Sequence, residues 1–165
     1  RGGSMPHKWK VRITSPTEVS PAEIIEGRLW LGSRLHANSA ETLRRLGVTH
    51  VVNVSRDARC PEDGSIQYLH CGAADDVGSD LAEAFEEAYR FIEDAQVWPG
   101  GGRVLVHCSG GISRSSAVVI SYLMRRKGLP LAAALALVRS KHPAAQPNAG
   151  FLRQLADLET RYRGG

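Results

Sequence analysis

The stretch Val104-Leu-Val-His-Cys-Ser-Gly-Gly-Ile-Ser-Arg-Ser-Ser116 decides how the chain is read. Its first three residues form a short apolar run, too short for a helix and rich in β-formers, which predicts a buried strand. His107 and Cys108 end that strand at the sheet's carboxyl edge, where open α/β sheets gather their ligands. Gly110 and Gly111 permit backbone conformations closed to other residues, and the neighbouring serines leave space, so the segment can curl. The pattern after Ser115 is helical as far as Lys127 and stops at Gly128. A loop wrapped with its N–H groups inward, backed by a helix N-terminus, makes an anion nest of about phosphate size. Arg114, six residues beyond the cysteine, would return a planar guanidinium to the same centre and hold two oxygens at once. The same field favours Cys108 as a thiolate, the nucleophilic form of cysteine.

Outward from this loop, short apolar runs bounded by turn residues at Arg28 to Leu31, His50 to Val54 and Ile66 to Leu69 read as further strands. Helical patterns cover Ala40 to Leu46, a stripe of Leu81, Phe85, Ala88, Tyr89 and Ile92, and then Leu131 to Lys141 and Gly150 to Tyr162. Strands alternating with helices, followed by helices alone, predict an α/β fold: a central mixed, mostly parallel sheet flanked by helices on both faces. With 165 residues and 42% apolar composition, the chain is expected to form a single domain over 21–165. Residues 1–20 read as an N-terminal arm, in which 1–4 look like a non-native remnant ahead of Met5.

Several function classes are disfavoured by composition. No run is long and apolar enough to span a bilayer, and the N-terminus lacks a secretory pattern, so a soluble protein, cytoplasmic or also nuclear, is expected. Three irregularly spaced cysteines do not make a disulfide framework. The net charge of +4 is unevenly spread: residues 103–165 hold ten Arg or Lys against two acids, which favours an anionic partner. These bases are scattered over predicted helices without a basic tract or interleaved aromatics, so no nucleic-acid partner is expected. The dipeptides His70-Cys71 and His107-Cys108 do not have zinc-ligand spacing, because adjacent strand residues face opposite ways; neither metal nor other cofactor is expected. Cys60 and Cys71 read as buried or incidental thiols, either of which would be able to trap an oxidised Cys108 if geometry allowed. The histidines at 7, 36 and 50 read as surface or packing residues, and Trp9, Trp30 and Trp98 as single anchors.

The string His107-Cys108-Ser109-Gly110-Gly111-Ile112-Ser113-Arg114-Ser115 resembles the His-Cys-x-x-Gly-x-x-Arg-Ser/Thr signature of the cysteine-dependent protein tyrosine phosphatase superfamily. Its surroundings resemble the dual-specificity phosphatases in particular, as a small, atypical member. The likeness runs from RLWLGS and GVTHVVNVS through SAVVISYLMRRKG to Pro147-Asn-Ala-Gly-Phe151, roughly Pro21 to Tyr162. It implies a protein tyrosine phosphatase-like fold and a protein phosphatase that acts on phosphotyrosine and phosphoserine or phosphothreonine through a cysteinyl-phosphate.

The resemblance also implies residue roles. Cys108 would be the nucleophile, with Arg114 and the backbone of Ser109, Gly110, Gly111, Ile112 and Ser113 holding the phosphate. Ser115 would hydrogen-bond the sulfur and help it leave; His107 and Asn148 would support the loops. A proton donor to the leaving oxygen is needed on a separate loop. Asp75, Asp76 and Asp80 are the candidates; the family register, ten residues before the aromatic Phe85, selects Asp75, with Asp76 next. Asp80 has a second reading, as an acid stabilising a helix N-terminus.

The loop carries no lysine, unlike phosphoinositide-directed relatives, and the phosphotyrosine-clamping loop of the tyrosine-specific members is not found, which implies a shallow site. At position 142 the family often has Arg, able to serve a second cationic pocket; here it is His142. Two alternatives stand beside the enzyme reading: a phosphate-binding pseudophosphatase scaffold, and a phosphatase for a non-protein ester such as an RNA 5′-phosphate or a glycan. The expected partners are phosphorylated proteins; the sequence does not set the oligomeric state.

Overall fold

The computed structural model describes residues 20–56 and 64–164. The arm, with His7 and Trp9, and Cys60 lie outside the described residues. Five strands form one sheet in the order β1-β2-β5-β3-β4: β1 (Ala22–Ile25), β2 (Leu29–Ser33), β3 (His50–Ser55), β4 (Gln67–Ala73) and β5 (Val104–Cys108). All pairings are parallel except β1 with β2. The sheet is therefore mixed and mostly parallel, as the alternation of elements predicts. β1 was not apparent in the sequence: four residues are too few for a period to stand out, and the strand is defined by its pairing with β2 across the turn at Gly27, where φ is 67°.

β5 is the central strand, paired on both sides, and all five of its residues are buried. Successive side chains alternate between faces. Val104 and Val106 enter the larger core with Leu29, Leu31, Val52 and Val54, whereas Leu105 joins Trp30, Val51, Leu43 and Ala37 on the other side. The larger core is covered by α3 (Ala82–Gln96), α4 (Arg114–Lys127), α5 (Leu131–Lys141) and α6 (Ala149–Arg163). The smaller one lies under α1 (Arg34–Ala37) and α2 (Ala40–Leu46). Along α3 the apolar stripe is buried at Phe85, Ala88 and Ile92, preceded by Leu81 at the helix cap. α4 is buried almost all round from Ser115 to Met124, as a helix between a sheet and three other helices must be, and it ends at Gly128 with φ 64°. Removing one of its large apolar side chains, Leu123 for example, should cost about 2–5 kcal/mol, the usual loss for a buried Leu truncation.

The alternation places Cys108 in register on the face covered by α4 and His107 on the face of α1. No helix among the described residues is long and apolar enough to cross a membrane.

Candidate active site

The loop 109–113 joins the end of β5 to α4, and its carbonyl groups are bound by elements around it. The Ser109 carbonyl accepts from Arg34 N at 3.2 Å, the Ile112 carbonyl from Gln146 N at 2.8 Å, and the Gly111 carbonyl is met by His142 Nε2 at 2.8 Å. No described peptide is cis. In a trans peptide the N–H points away from the C=O, so these three bonds turn the amides of Gly110, Ile112 and Ser113 to the concave side. The fourth amide, Gly111 N, donates to Cys108 Sγ at 3.2 Å, and Ser115 Oγ lies 3.1 Å from the same sulfur. The curl needs glycine at 111, where φ is 72° and a Cβ would stand 2.8 Å from the Gly32 carbonyl oxygen. Cys108 is buried at the floor of this cup and Ser115 is buried beside it, while Gly110 and Ile112 are exposed at its edge.

Arg114 is the first residue of α4, one position earlier than the sequence pattern indicates, so its side chain starts at the helix's positive end. Nη1 donates to the Ala73 carbonyl at 2.9 Å. Nε is buried and has no partner within the protein, a donor left open beside the cup.

His107 is buried; its Nδ1–H donates to the Cys108 carbonyl at 3.2 Å. Burial, with smaller contributions from His36 and His70, lowers its pKa to about 4, so it is neutral at pH 7. A neutral imidazole with Nδ1 engaged in this way orders the backbone at Cys108.

The acidic segment after β4 reaches the cup from the other side. Asp75 is exposed, and its Oδ1 accepts from Asn148 Nδ2 at 3.0 Å. Asn148 caps α6 by accepting from Phe151 N at 2.9 Å, and its own N–H donates to Ser113 Oγ at 2.9 Å. One residue thus links the acidic segment to the phosphate-sized loop. The other two candidate acids are occupied locally: Asp76 Oδ1 accepts from Gly78 N at 2.7 Å, and Asp80 Oδ1 from Ala82 N at 2.8 Å, at the start of α3.

Two contributors were not singled out in the sequence, and a third was noted there for its identity alone. Gln154, one turn beyond Phe151 in α6, accepts from Leu81 N at 2.8 Å and donates to the Ser79 carbonyl at 2.7 Å, holding the acidic segment at its far end. Gly150 lies so close to the Val77 carbonyl that a Cβ there would overlap it. His142 is buried against the loop and does not line a second surface pocket. A glutamine and a glycine beside a recognised Pro-Asn pair are weak signals; only the unusual identity of residue 142 was visible beforehand.

Cys71 sits on the same sheet face as Cys108, but β3 separates the strands that carry them. Two strand spacings place them roughly 10 Å apart, beyond the reach of a disulfide without backbone movement. The Cys71 thiol donates to Glu87 Oε2 at 3.6 Å, and burial followed by that carboxylate pushes its pKa up to about 12. It is an inert thiol. Among the described residues no group of three or more His, Cys, Asp or Glu is arranged to hold a metal ion.

A buried sulfur that accepts from an amide and lies against a hydroxyl, inward amides, a helix N-terminus and a guanidinium together can receive a tetrahedral oxyanion above the sulfur. Similarity to known proteins runs over most of the chain. Residues 29–161 match the family model "Dual specificity phosphatase, catalytic domain". The chain is 40% identical over 146 residues to the dual specificity protein phosphatase Mpk3 of Drosophila melanogaster, covering 87% of this chain and 35% of that protein. It therefore spans about a third of that relative's length. The crystal structure of human DUSP28 superposes with a TM-score of 0.80 at 38% identity, covering 87% of this chain and 98% of that one. A mouse putative dual specificity phosphatase complexed with zinc tungstate superposes with a TM-score of 0.81 at 34% identity, over 99% of this chain and 94% of that one.

Proposed function

The chain belongs to the dual specificity phosphatase family of cysteine-dependent hydrolases, and from that premise we propose that it hydrolyses phosphotyrosine and phosphoserine or phosphothreonine in proteins through a phosphocysteine at Cys108. The observation that carries this reading is the outward binding of the Ser109, Gly111 and Ile112 carbonyls, which aims the loop amides at one point above the Cys108 sulfur. A phosphate monoester seated there presents its three free oxygens to those amides and to Arg114. Its ester oxygen faces the acidic segment.

In the first step the Cys108 thiolate attacks phosphorus in line. The S–P bond forms as the P–O bond to the leaving group breaks, and Asp75, protonated, gives its proton to the departing oxygen. Asp75 is favoured over Asp76 because Asn148 holds its carboxyl on the side of Ser113, whereas the Asp76 carboxyl is folded back onto Gly78. In the second step Asp75 accepts a proton from water, the water oxygen attacks phosphorus, and the S–P electron pair returns to sulfur. The Gly111 amide and the Ser115 hydroxyl then stabilise the returning charge, since hydrogen bonds favour the charged form of an acceptor. Phosphate leaves and the thiolate is restored.

Phosphate release from matched phosphotyrosine and phosphothreonine peptides, together with mass analysis of acid-quenched enzyme, tests the proposal. Both peptides should turn over, and a phosphate adduct should be found on Cys108. Cys108→Ser should abolish turnover while leaving oxyanion binding. Undiminished turnover in that variant would remove Cys108 as the nucleophile.

A further inference from the structure

Three bonds hold the outward carbonyls of the phosphate loop, and they differ in kind. The Ser109 and Ile112 carbonyls are held by backbone N–H groups, of Arg34 and Gln146, which any residue but proline supplies. The Gly111 carbonyl is held by a side chain, His142 Nε2, at 2.8 Å. That carbonyl and the Ile112 amide belong to one rigid peptide unit, so the direction of the first sets the direction of the second.

We infer that His142 is a positioning residue for the phosphate site: by binding the Gly111 carbonyl it keeps the Ile112 amide aimed at the bound phosphate. The inference rests on the reading above for what occupies the cup, and on this geometry for the role of His142. A carbonyl can only accept, so Nε2 carries the hydrogen of this bond. Nδ1 is buried without a partner, and the whole residue is only 9% exposed. Buried polar atoms without partners are few in native proteins, and a side chain used for packing alone would be better served by leucine. The bond that His142 does make offsets that cost.

The turn also has no slack on its other side. The Gly32 carbonyl oxygen stands where a Cβ of Gly111 would be crowded at 2.8 Å. Gly32 is in turn backed by His36, whose Nδ1 accepts from Ser33 N at 3.0 Å. Gly111 is therefore clamped between β2 and residue 142, with its amide on the sulfur and its carbonyl on the imidazole. Loss of the imidazole frees the Gly111–Ile112 unit to rotate.

His142→Leu keeps the volume and removes the donor; His142→Gln keeps a donor near the place of Nε2. Binding of inorganic tungstate by calorimetry and kcat and KM for an aryl phosphate should be measured for both, with thermal unfolding alongside. In His142→Leu tungstate affinity should fall about 10-fold, less than the 10²–10³ that follows removal of a whole oxyanion donor, with kcat falling more than KM rises. His142→Gln should recover most of both. Unchanged tungstate affinity in His142→Leu, or equal losses in the two variants, would overturn the role. Tungstate bound by the unaltered chain without any turnover would defeat the phosphatase reading and leave the His142 comparison standing; no tungstate binding at all would overturn both.

Discussion

The phosphate loop at 109–113 and the acidic segment at 75–81 meet at one centre but are tied to the molecule in different ways. The first continues a central strand and runs into the most buried helix, and its carbonyls are bound from α1 and the connection between α5 and α6. The second is exposed and is held by one helix, through the side chains of Asn148 and Gln154 and the close approach of Gly150 to Val77. Oxyanion binding should therefore depend on the first region alone, and proton transfer on both. A cup that must present several amides at fixed angles needs anchors on every side. A carboxyl that delivers one proton needs only to be kept within reach.

The largest effect that would separate the two regions is expected from Gly111→Ala. The φ of 72° and the 2.8 Å approach to the Gly32 oxygen both oppose a side chain there, and the obstacle is backbone, which cannot swing aside. Strain of about 1–3 kcal/mol and loss of the curl should follow. Tungstate binding and turnover should both fall, turnover by at least about 10³, the upper end for an oxyanion donor. Retention of tungstate affinity in this variant would break the claim that the loop works as a clamped unit.

Asp75→Asn should act on only one side of the comparison. Tungstate affinity should stay within about twofold, while turnover drops by roughly 10²–10⁴, as for loss of a general acid. The loss should be greater for a phosphothreonine peptide than for a nitrophenyl ester, whose leaving group needs little protonation. Should Asp76→Asn produce this pattern and Asp75→Asn not, the choice of carboxyl would be wrong. Gly150→Ala sharpens the same point at a distance. Its Cβ would displace the Val77 carbonyl and with it the segment that carries Asp75, so peptide turnover should fall about 10-fold, a shift of about 1.4 kcal/mol in the barrier. Tungstate binding should persist.

The contrast also explains what the sequence disclosed. The phosphate loop is built from neighbours in the chain, a strand, glycines, an arginine and a helix start, so its parts are readable side by side and Cys108, Arg114 and Ser115 take the places the motif implies. The sheet was legible for the same reason: β5 opens on the apolar run Val104 to Val106, β3 carries Val51, Val52 and Val54, and α3 has its stripe at helical spacing. The supports of the acidic segment come from residues 73 to 75 positions away, as in the pairs Asp75 with Asn148 and Ser79 with Gln154. No local pattern shows that a particular glutamine faces a particular carbonyl. β1 stayed hidden because it exists only by pairing, and His142 stood out as a departure from a family pattern without any hint that its imidazole turns inward to Gly111.

The remaining predicted effect concerns stability in acid and comes from the phosphate-loop side. His107 is buried neutral with a pKa lowered from 6.5 to about 4, chiefly by burial. In the unfolded chain it takes up a proton near pH 6.5, and in the folded chain not until about pH 4. Its contribution to stability is thus fully present above pH 6.5, is lost as pH falls through that window, and levels off below pH 4. With 1.36 kcal/mol per unit, the loss reaches about 3 kcal/mol as an upper bound. His36, also lowered by burial and by His142, acts in the same direction. His107→Asn keeps a donor near the Cys108 carbonyl and does not titrate, so urea unfolding of that variant should show a shallower decline between pH 6.5 and 4 than the unaltered chain. Parallel slopes for the His107 variant and the unaltered chain would mean that the acid sensitivity lies outside the strand that carries Cys108.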